Sequence, residues 1–207
     1  IIEIENSAYS KKLFSMSNIS FDVIRDVAYK YLQSIGDPEE LFYRLQRGEA
    51  IINDEKLLYK YLVSFGGKHK VKLYSAYDQI IQNISNRKFN VVDWGCGQGT
   101  ATMILLDYAK ANSIKLDIEN ITLIEPSSLA LRRGLLHIEL LKQKEYKINT
   151  INSDLDCLQE EQLQIGNNYP TLHIFSNILD LETFRLDENF FNKVSKYCEN
   201  ESIFVCI

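Results

Sequence analysis

Hydrophobic residues recur at steps of three and four through the first part of the chain, which is the spacing of amphipathic helices. This spacing predicts helices over residues 19–35, 37–48, 54–67 and 69–85. Asp37 is expected to cap the second helix ahead of Pro38, and Gly66-Gly67 is expected to end the third. Residues 1–88 are therefore predicted to form a small helical module.

From Phe89 onward, short apolar segments alternate with amphipathic ones. Strands are predicted at Phe89–Asp93, Ile121–Glu125, Tyr146–Ile151, Leu172–Ser176 and Ser202–Ile207. Helices are predicted between them at Thr100–Ala111, Ser127–Lys144, Leu158–Leu163 and Asp187–Cys198. Such alternation predicts an α/β fold over residues 89–207, with a parallel sheet of about five strands and helices on both of its faces.

The composition narrows the class of protein. The 207 residues are 45% hydrophobic and 25% charged, which excludes collagen-like and low-complexity chains. The net charge of −5 argues against a protein that coats nucleic acid indiscriminately. The apolar runs are too short to cross a membrane, and the four cysteines form neither a disulfide framework nor a zinc spacing, so we expect a soluble cytoplasmic protein without a metal. A first residue of Ile and a last segment predicted as a strand suggest a piece of a longer protein.

The candidate chemistry follows the first predicted strand. Gly95, Gly97 and Gly99 stand at alternate positions before a predicted helix, and Asp93 precedes them by two residues. Glycines let the backbone turn sharply and approach a ligand, and a helix N-terminus offers unpaired N–H groups. A dinucleotide fingerprint would need a glycine where the chain has Thr100. The acid beside the loop favours a ligand that carries a cation or an amino group.

This loop resembles motif I of the class I S-adenosylmethionine (SAM)-dependent methyltransferases, and the resemblance covers about residues 89–207. It implies a Rossmann-like fold, with SAM as the cofactor and S-adenosylhomocysteine as the product. The sheet of that family normally has seven strands, so either a missing segment completes this one or the sheet has degenerated. The stretch from Lys72 to Gly97 resembles, more faintly, ribosomal small-subunit methyltransferase-like proteins, whose C-terminal cysteine cluster is absent here.

The resemblance also implies roles for individual residues. Asp93 and the glycine backbone would take the methionine end of SAM, Glu125 its ribose hydroxyls, and Asp154 its adenine amine. The segment Ser176–Asp180, at the end of the fourth strand, would face the methyl group and the substrate. The cofactor-binding residues implied in this way are Asp93, Gly95, Cys96, Gly97, Gly99, Thr100, Glu125, Pro126, Ser127, Asp154, Leu155, Ser176 and Asn177.

Several of these assignments have a plainer alternative. The glycine loop could be a structural turn, and Glu125 could simply face the N-terminus of the next helix. Asp154 could leave the adenine contact to Ser153, Leu155 or Asp156. Asn177 could orient a substrate or cap a strand end, and it lacks the Pro-Pro-aromatic sequence of enzymes that methylate the amino groups of bases.

The methyl acceptor is predicted from one basic stretch. Between Lys56 and Lys88 the chain has seven Lys or Arg residues, one acid and interleaved tyrosines, a mixture that can bind a phosphate backbone and stack bases. RNA is therefore the first hypothesis for the acceptor, while another anionic acceptor, a small molecule or a protein side chain remains open. The substrate residues would be Lys68, Lys70, Lys72, Tyr74, Asn177 and Asp180. The alternative is a solvated helix face whose tyrosines pack inward.

Three functions remain open from the sequence. The first is a SAM-dependent methyltransferase whose helical module acts as a cap over the cofactor. The second is a non-catalytic module of the same fold that binds or scaffolds within a larger protein. The third is an NAD(P)-binding enzyme, which Thr100 disfavours.

Overall fold

The structure is a computed structural model that describes residues 3–163, 168–179, 188–195 and 201–207. Its helices are α1 (Ala8–Phe14), α2 (Phe21–Ser34), α3 (Glu40–Arg44), α4 (Glu55–Ile84), α5 (Thr100–Ala111), α6 (Ser128–Leu141) and α7 (Glu188–Ser195), with short 3₁₀ turns at Gln46–Gly48 and Glu160–Gln162. Its strands are β1 (Lys88–Trp94), β2 (Asp117–Ile124), β3 (Lys147–Ile151), β4 (Thr171–Phe175) and β5 (Ser202–Cys206). Among the described residues, no helix is long and apolar enough to cross a membrane.

The described strands form one parallel sheet in the order β3-β2-β1-β4-β5. In the central rows of the sheet, Val92 pairs with Thr122 on one side and with His173 on the other. The strand order reverses direction between β1 and β4, and open sheets of this kind bind ligands outside the carboxyl ends of the strands at that point. The predicted α/β class and Rossmann-like sheet are confirmed.

Side chains alternate between two hydrophobic cores, one on each face of the sheet. Val91, Leu123 and Ile174 face a core that includes α4, α5 and α6. Val92, Ile124 and Phe175 face a second core, to which α7 contributes Phe190 and Val194. The near-continuous apolar runs of the strands follow from this burial on both faces, and the predicted placement of helices on both sides is confirmed.

Two predicted helix boundaries in the first part of the chain, at Gly66-Gly67 and at Asp37, are wrong. The segments 54–67 and 69–85 form the single helix α4, which continues through Gly66-Gly67. A Cβ at Gly66 would lie 3.2 Å from Cζ of Phe21, so the glycine there permits close approach of α2 and does not end the helix. Asp37 does not cap α3, because its carboxylate accepts a hydrogen bond from Nζ of Lys60 at 2.5 Å and the helix begins only at Glu40.

Helix α1 was not expected from the hydrophobic spacing. It begins with a reciprocal cap in which Ser7 Oγ accepts from Ser10 N at 3.1 Å and Ser10 Oγ accepts from Ser7 N at 2.8 Å. The helix then buries Tyr9 and Leu13 in the same core that covers α5 and α6. Residues of the N-terminal helices also bond directly to α5, where the backbone N–H of Phe21 donates to Asp107 at 2.9 Å and the hydroxyl of Tyr77 donates to the Ala101 carbonyl at 2.8 Å.

Candidate functional site

A cavity of about 480 Å³ opens at the carboxyl ends of the strands. From the sheet side it is lined by the glycine loop and by the segments that follow β2, β3 and β4; these lining residues are Gly95, Gly97, Gln98, Glu125, Pro126, Ala130, Asp154, Leu155, Asp156, Ser176, Asn177 and Ile178. From the other side it is lined by Tyr61 of α4 and by residues of the segment 46–52, which we call the strap.

The three glycines of the loop adopt positive φ angles of +63° (Gly95), +54° (Gly97) and +73° (Gly99), a region that other residues enter only with strain. Their surroundings differ. A Cβ at Gly97 would meet no atom within 4 Å, which leaves open space beside a residue that lines the cavity. A Cβ at Gly99 would lie 3.1 Å from Cα of Gly134, so this glycine is needed for contact between α5 and α6.

Glu125 follows β2 directly and joins the cavity to the glycine loop. Its Oε2 accepts from the backbone N–H of Gly97 at 2.9 Å, and its Oε1 accepts from the N–H of Ser127 at 3.0 Å. The side chain is only 8% exposed, and this burial raises the pKa of the Glu125 carboxyl to about 7. One carboxylate therefore braces the loop and the start of α6 while it also lines the cavity.

Asp93 lies beneath the loop and is not among the residues that line the cavity. It is 1% exposed, and its Oδ2 accepts from the backbone N–H of Thr102 at 3.2 Å and from the Thr102 hydroxyl at 2.7 Å. Burial raises the pKa of the Asp93 carboxyl to about 6. Its Oδ1 is buried and has no hydrogen-bond partner within the described part of the chain. A direct contact of Asp93 with a ligand stays a prediction.

The segments after β3 and β4 form the remainder of the sheet-side wall. Asn152 donates from Nδ2 to the carbonyls of Glu125 (2.9 Å) and Pro126 (2.7 Å), which fixes the end of β2 against the end of β3. Asn177 has a φ of +56°, and its backbone N–H donates to the Ile207 carbonyl at 2.8 Å. The side chain of Asn177 donates to Ser176 Oγ at 3.1 Å.

The structure brings together most of the cofactor residues predicted from the sequence, but not all of them. Eight line the cavity: Gly95, Gly97, Glu125, Pro126, Asp154, Leu155, Ser176 and Asn177. Cys96, Gly99, Thr100 and Ser127 stand behind this wall, where they are buried, as Asp93 does. Asp180, predicted as a substrate residue, lies outside the described residues.

The Lys and Arg residues of the basic stretch do not line the cavity, although Tyr61 of the same stretch does. Lys68 and Lys72 are exposed on α4, Lys70 pairs with Asp22 at 2.6 Å, and none of the three lines the cavity. The hydroxyl of Tyr74 donates to Asp107 at 2.8 Å. Tyr59 and Tyr77 are buried, so tyrosines of this stretch pack inward, as the alternative interpretation of the stretch expects.

The sequence led us to expect that the helical module caps the cofactor, but it did not identify the residues of the opposite wall. The strap turns at Gly48, whose φ is +104°, and the hydroxyl of Ser127 donates to the carbonyl of Ile52. Tyr61 packs beneath it, since a Cβ at Gly48 would lie 3.4 Å from Cε2 of Tyr61. Burial and the charge of Glu125 raise the pKa of the Tyr61 phenol above its usual range, so the phenol stays protonated. Within the strap sequence, Gly48 is the only residue whose type indicates a turn.

Solved structures of similar fold include several SAM-dependent methyltransferases. One from Clostridium acetobutylicum is 15% identical with a TM-score of 0.40, and the match covers 65% of this chain and 48% of that one. One from Leishmania major is 16% identical with a TM-score of 0.45, and the match covers 79% of this chain and 59% of that one. The magnesium protoporphyrin IX methyltransferase of Synechocystis PCC 6803 with bound SAM is 16% identical with a TM-score of 0.42. The match covers 92% of this chain and 77% of that one.

The chain thus spans less than two thirds of the length of the first two of these proteins. No protein-family model matches the sequence, and no curated protein matches it. At such low identity the likeness concerns the fold and does not extend to the activity.

Proposed function

We propose that this chain is a class I SAM-dependent methyltransferase that binds SAM in the cavity at the carboxyl edge of its sheet. The observation that carries the proposal is the convergence of the glycine loop, Glu125 and Asp154 on that one cavity. These three features come from three different strand ends, and the parallel order β3-β2-β1 places them side by side.

The charges of the cavity suit SAM. The acidic residues Glu49, Glu125, Asp154 and Asp156 line it, and its lining includes no Lys or Arg among the side chains that the structure describes. SAM carries a sulfonium and an ammonium group, both of which carboxylates attract. A pyrophosphate would need cations or free backbone N–H groups, and the Gly97 N–H is already donated to Glu125. The cavity therefore fits SAM better than a dinucleotide.

Each part of the cofactor has a candidate partner. Glu125 would accept from the ribose hydroxyls, since each carboxylate oxygen can accept more than the one bond that it accepts here. Asp154 would accept from the adenine amine, and the open side of Gly97 would admit the methionine end. Bound SAM would supply an electrophilic methyl group, and the contribution of the chain would be to hold that group in line with a nucleophile.

The acceptor would enter between the strap and the segment Ser176–Ile178, which face the same cavity from opposite sides. An acceptor RNA bound through Lys68, Lys70 and Lys72 remains a hypothesis from the sequence. The cavity lends it no support, since those lysines lie outside the lining.

Isothermal titration calorimetry of the chain with SAM, with S-adenosylhomocysteine and with NADH tests the proposal. We expect SAM and S-adenosylhomocysteine to bind and NADH to give no heat of binding. A folded sample that bound NADH, or that bound neither SAM nor S-adenosylhomocysteine, would contradict the proposal. Binding of SAM without transfer to any acceptor would favour the non-catalytic module.

A further inference from the structure

Gln98, in the middle of the glycine loop, is held from two sides. Its side-chain Nε2 donates to the Leu58 carbonyl of α4 at 3.0 Å, and its backbone carbonyl lies 3.1 Å from Nδ1 of His137 on α6. Gln98 is buried and lines the cavity, and its Oε1 has no hydrogen-bond partner among the described residues. The position of the loop therefore depends on groups that lie outside the cavity.

The hydrogen bonds of His137 fix which of its nitrogens carries the proton. A backbone carbonyl can only accept, so Nδ1 must donate to Gln98. Nε2 of the neutral ring is then an acceptor, and the hydroxyl of Tyr9 donates to it at 3.0 Å. His137 is fully buried, and burial together with the nearby Arg133 guanidinium lowers the pKa of its imidazole to about 3, which keeps the ring neutral.

Tyr9 belongs to α1 and is itself held firmly in place. The Arg133 guanidinium lies 4.1 Å from the centroid of the Tyr9 ring. Arg133 is fully buried, and it donates to Glu5 at 2.8 Å and to Glu55 at 2.9 Å. An ion pair and a cation–π contact thus anchor the ring whose hydroxyl reaches His137.

We propose that helix α1 positions the glycine loop through a hydrogen-bonded chain from Tyr9 through His137 to the carbonyl of Gln98. Tyr9 and His137 do not line the cavity, so both act as positioning residues and neither touches the ligand. The ligand part of this inference rests on the proposed function, whereas the loop part does not depend on any ligand.

The test removes the Tyr9 hydroxyl, which is the first group of this hydrogen-bonded series. Tyr9→Phe leaves Nε2 of His137 buried without its donor, and we expect faster amide hydrogen exchange in residues 95–99 and about three- to tenfold weaker binding of S-adenosylhomocysteine. Tyr31→Phe is the matched control. The ring of Tyr31 lies 5.8 Å from that of Tyr9, but its hydroxyl is not part of the hydrogen-bonded series from Tyr9 to Gln98. This control should exchange and bind like the unaltered protein.

A second pair of variants separates positioning from general loss of stability. His137→Asn can place an amide N–H near the position of Nδ1 and so keep the bond to Gln98, whereas His137→Leu cannot. We expect amide hydrogen exchange in residues 95–99 to be slower in the Asn variant than in the Leu variant. Thermal unfolding of each variant identifies any that has simply lost its fold.

The outcomes distinguish the two proposals. Exchange in residues 95–99 that is the same in Tyr9→Phe and in the unaltered protein would overturn the positioning chain. Failure of the unaltered protein to bind S-adenosylhomocysteine would instead count against the proposed function, and the exchange comparison would still decide the role of Tyr9.

Discussion

The two walls of the cavity are held in different ways. The sheet-side wall is fixed by backbone pairing, in which Trp94 at the end of β1 lies in register with Ile124 and Phe175 on the neighbouring strands. The hydrogen bonds that Glu125 accepts add to this. In the strap, by contrast, the backbone hydrogen bonds found within the described part of the chain close local turns, such as that from Gly48 N to the Leu45 carbonyl at 2.7 Å.

The strap is tied to the rest of the molecule mainly through side chains. The hydroxyl of Ser127 holds the Ile52 carbonyl, and the ring of Tyr61 packs under Gly48. Elements with few fixed backbone contacts are the ones that open most easily in proteins. If the cavity binds SAM as proposed, we expect its affinity to depend mainly on the sheet-side wall, and we expect the strap to be the more mobile of the two walls.

The largest expected effect is on the sheet-side wall, at Gly99. Gly99→Ala forces a Cβ against Gly134 at 3.1 Å in a backbone of positive φ, so we expect the free energy of unfolding to fall by about 2–5 kcal/mol and SAM binding to weaken severely. Gly36→Ala is the matched control, since Gly36 also has a positive φ but has nothing within 4 Å of its would-be Cβ. Its cost should be about 1–2 kcal/mol, without an effect on SAM. Urea unfolding and calorimetry measure both, and equal effects would refute the role of the Gly99–Gly134 contact.

The next largest effect is on SAM affinity, measured after removal of one acidic side chain from each wall. Glu125→Ala should weaken SAM binding by about 1.5–3 kcal/mol, because charge-assisted hydrogen bonds to the ribose are lost. Glu49→Ala, on the strap side of the same cavity, should change the SAM dissociation constant much less. Calorimetric titration of the two variants decides between the walls, and an unchanged dissociation constant for the Glu125 variant would remove this residue from the site.

The pH dependence of stability tests the burial of Glu125. Burial raises the pKa of this carboxyl in the folded chain to about 7, against an ordinary value of 4.5, so its contribution to stability is full below about pH 4.5 and is lost as the pH rises through 7. We therefore expect the stability of the unaltered protein, measured relative to Glu125→Gln, to fall over that interval. A difference that rose with pH would show that the carboxyl is not buried as described.

The smallest expected effect concerns the lysines of the basic stretch, which belong to neither wall. A variant with Lys68→Glu, Lys70→Glu and Lys72→Glu should bind SAM with unchanged affinity, because none of these lysines lines the cavity. The same variant examines the RNA hypothesis. RNA that the variant still bound and methylated normally would exclude this face of α4 as the acceptor site, and a selective loss of RNA methylation would support it.

The sheet-side wall could largely be predicted from the sequence, because its signals are local. Strand–helix alternation is short-range, and the five predicted strands lie within a few residues of the observed ones. The positive φ angles of Gly95, Gly97 and Gly99 follow from the residue type that the loop requires. Glu125 and Asp154 lie at strand ends that a parallel sheet brings to one edge.

The other wall could not be predicted, because long-range packing decides it. Gly66 is a helix breaker by propensity, yet α4 continues through it, and its missing side chain leaves room for Phe21 of α2. Asp93 is another case, since the pattern shows an acid before the glycines but not that Thr102 draws its carboxylate beneath the loop. Contacts of this kind join residues whose pairing leaves no mark on either sequence segment.

The most direct test of the central claim is a crystal structure of the chain with S-adenosylhomocysteine. We expect the ligand in the cavity between the strap and the sheet edge, with its ribose hydroxyls on Glu125, its adenine beside Asp154 and its homocysteine end along Gly97. A ligand bound elsewhere, or one whose ribose lay away from Glu125, would contradict the account.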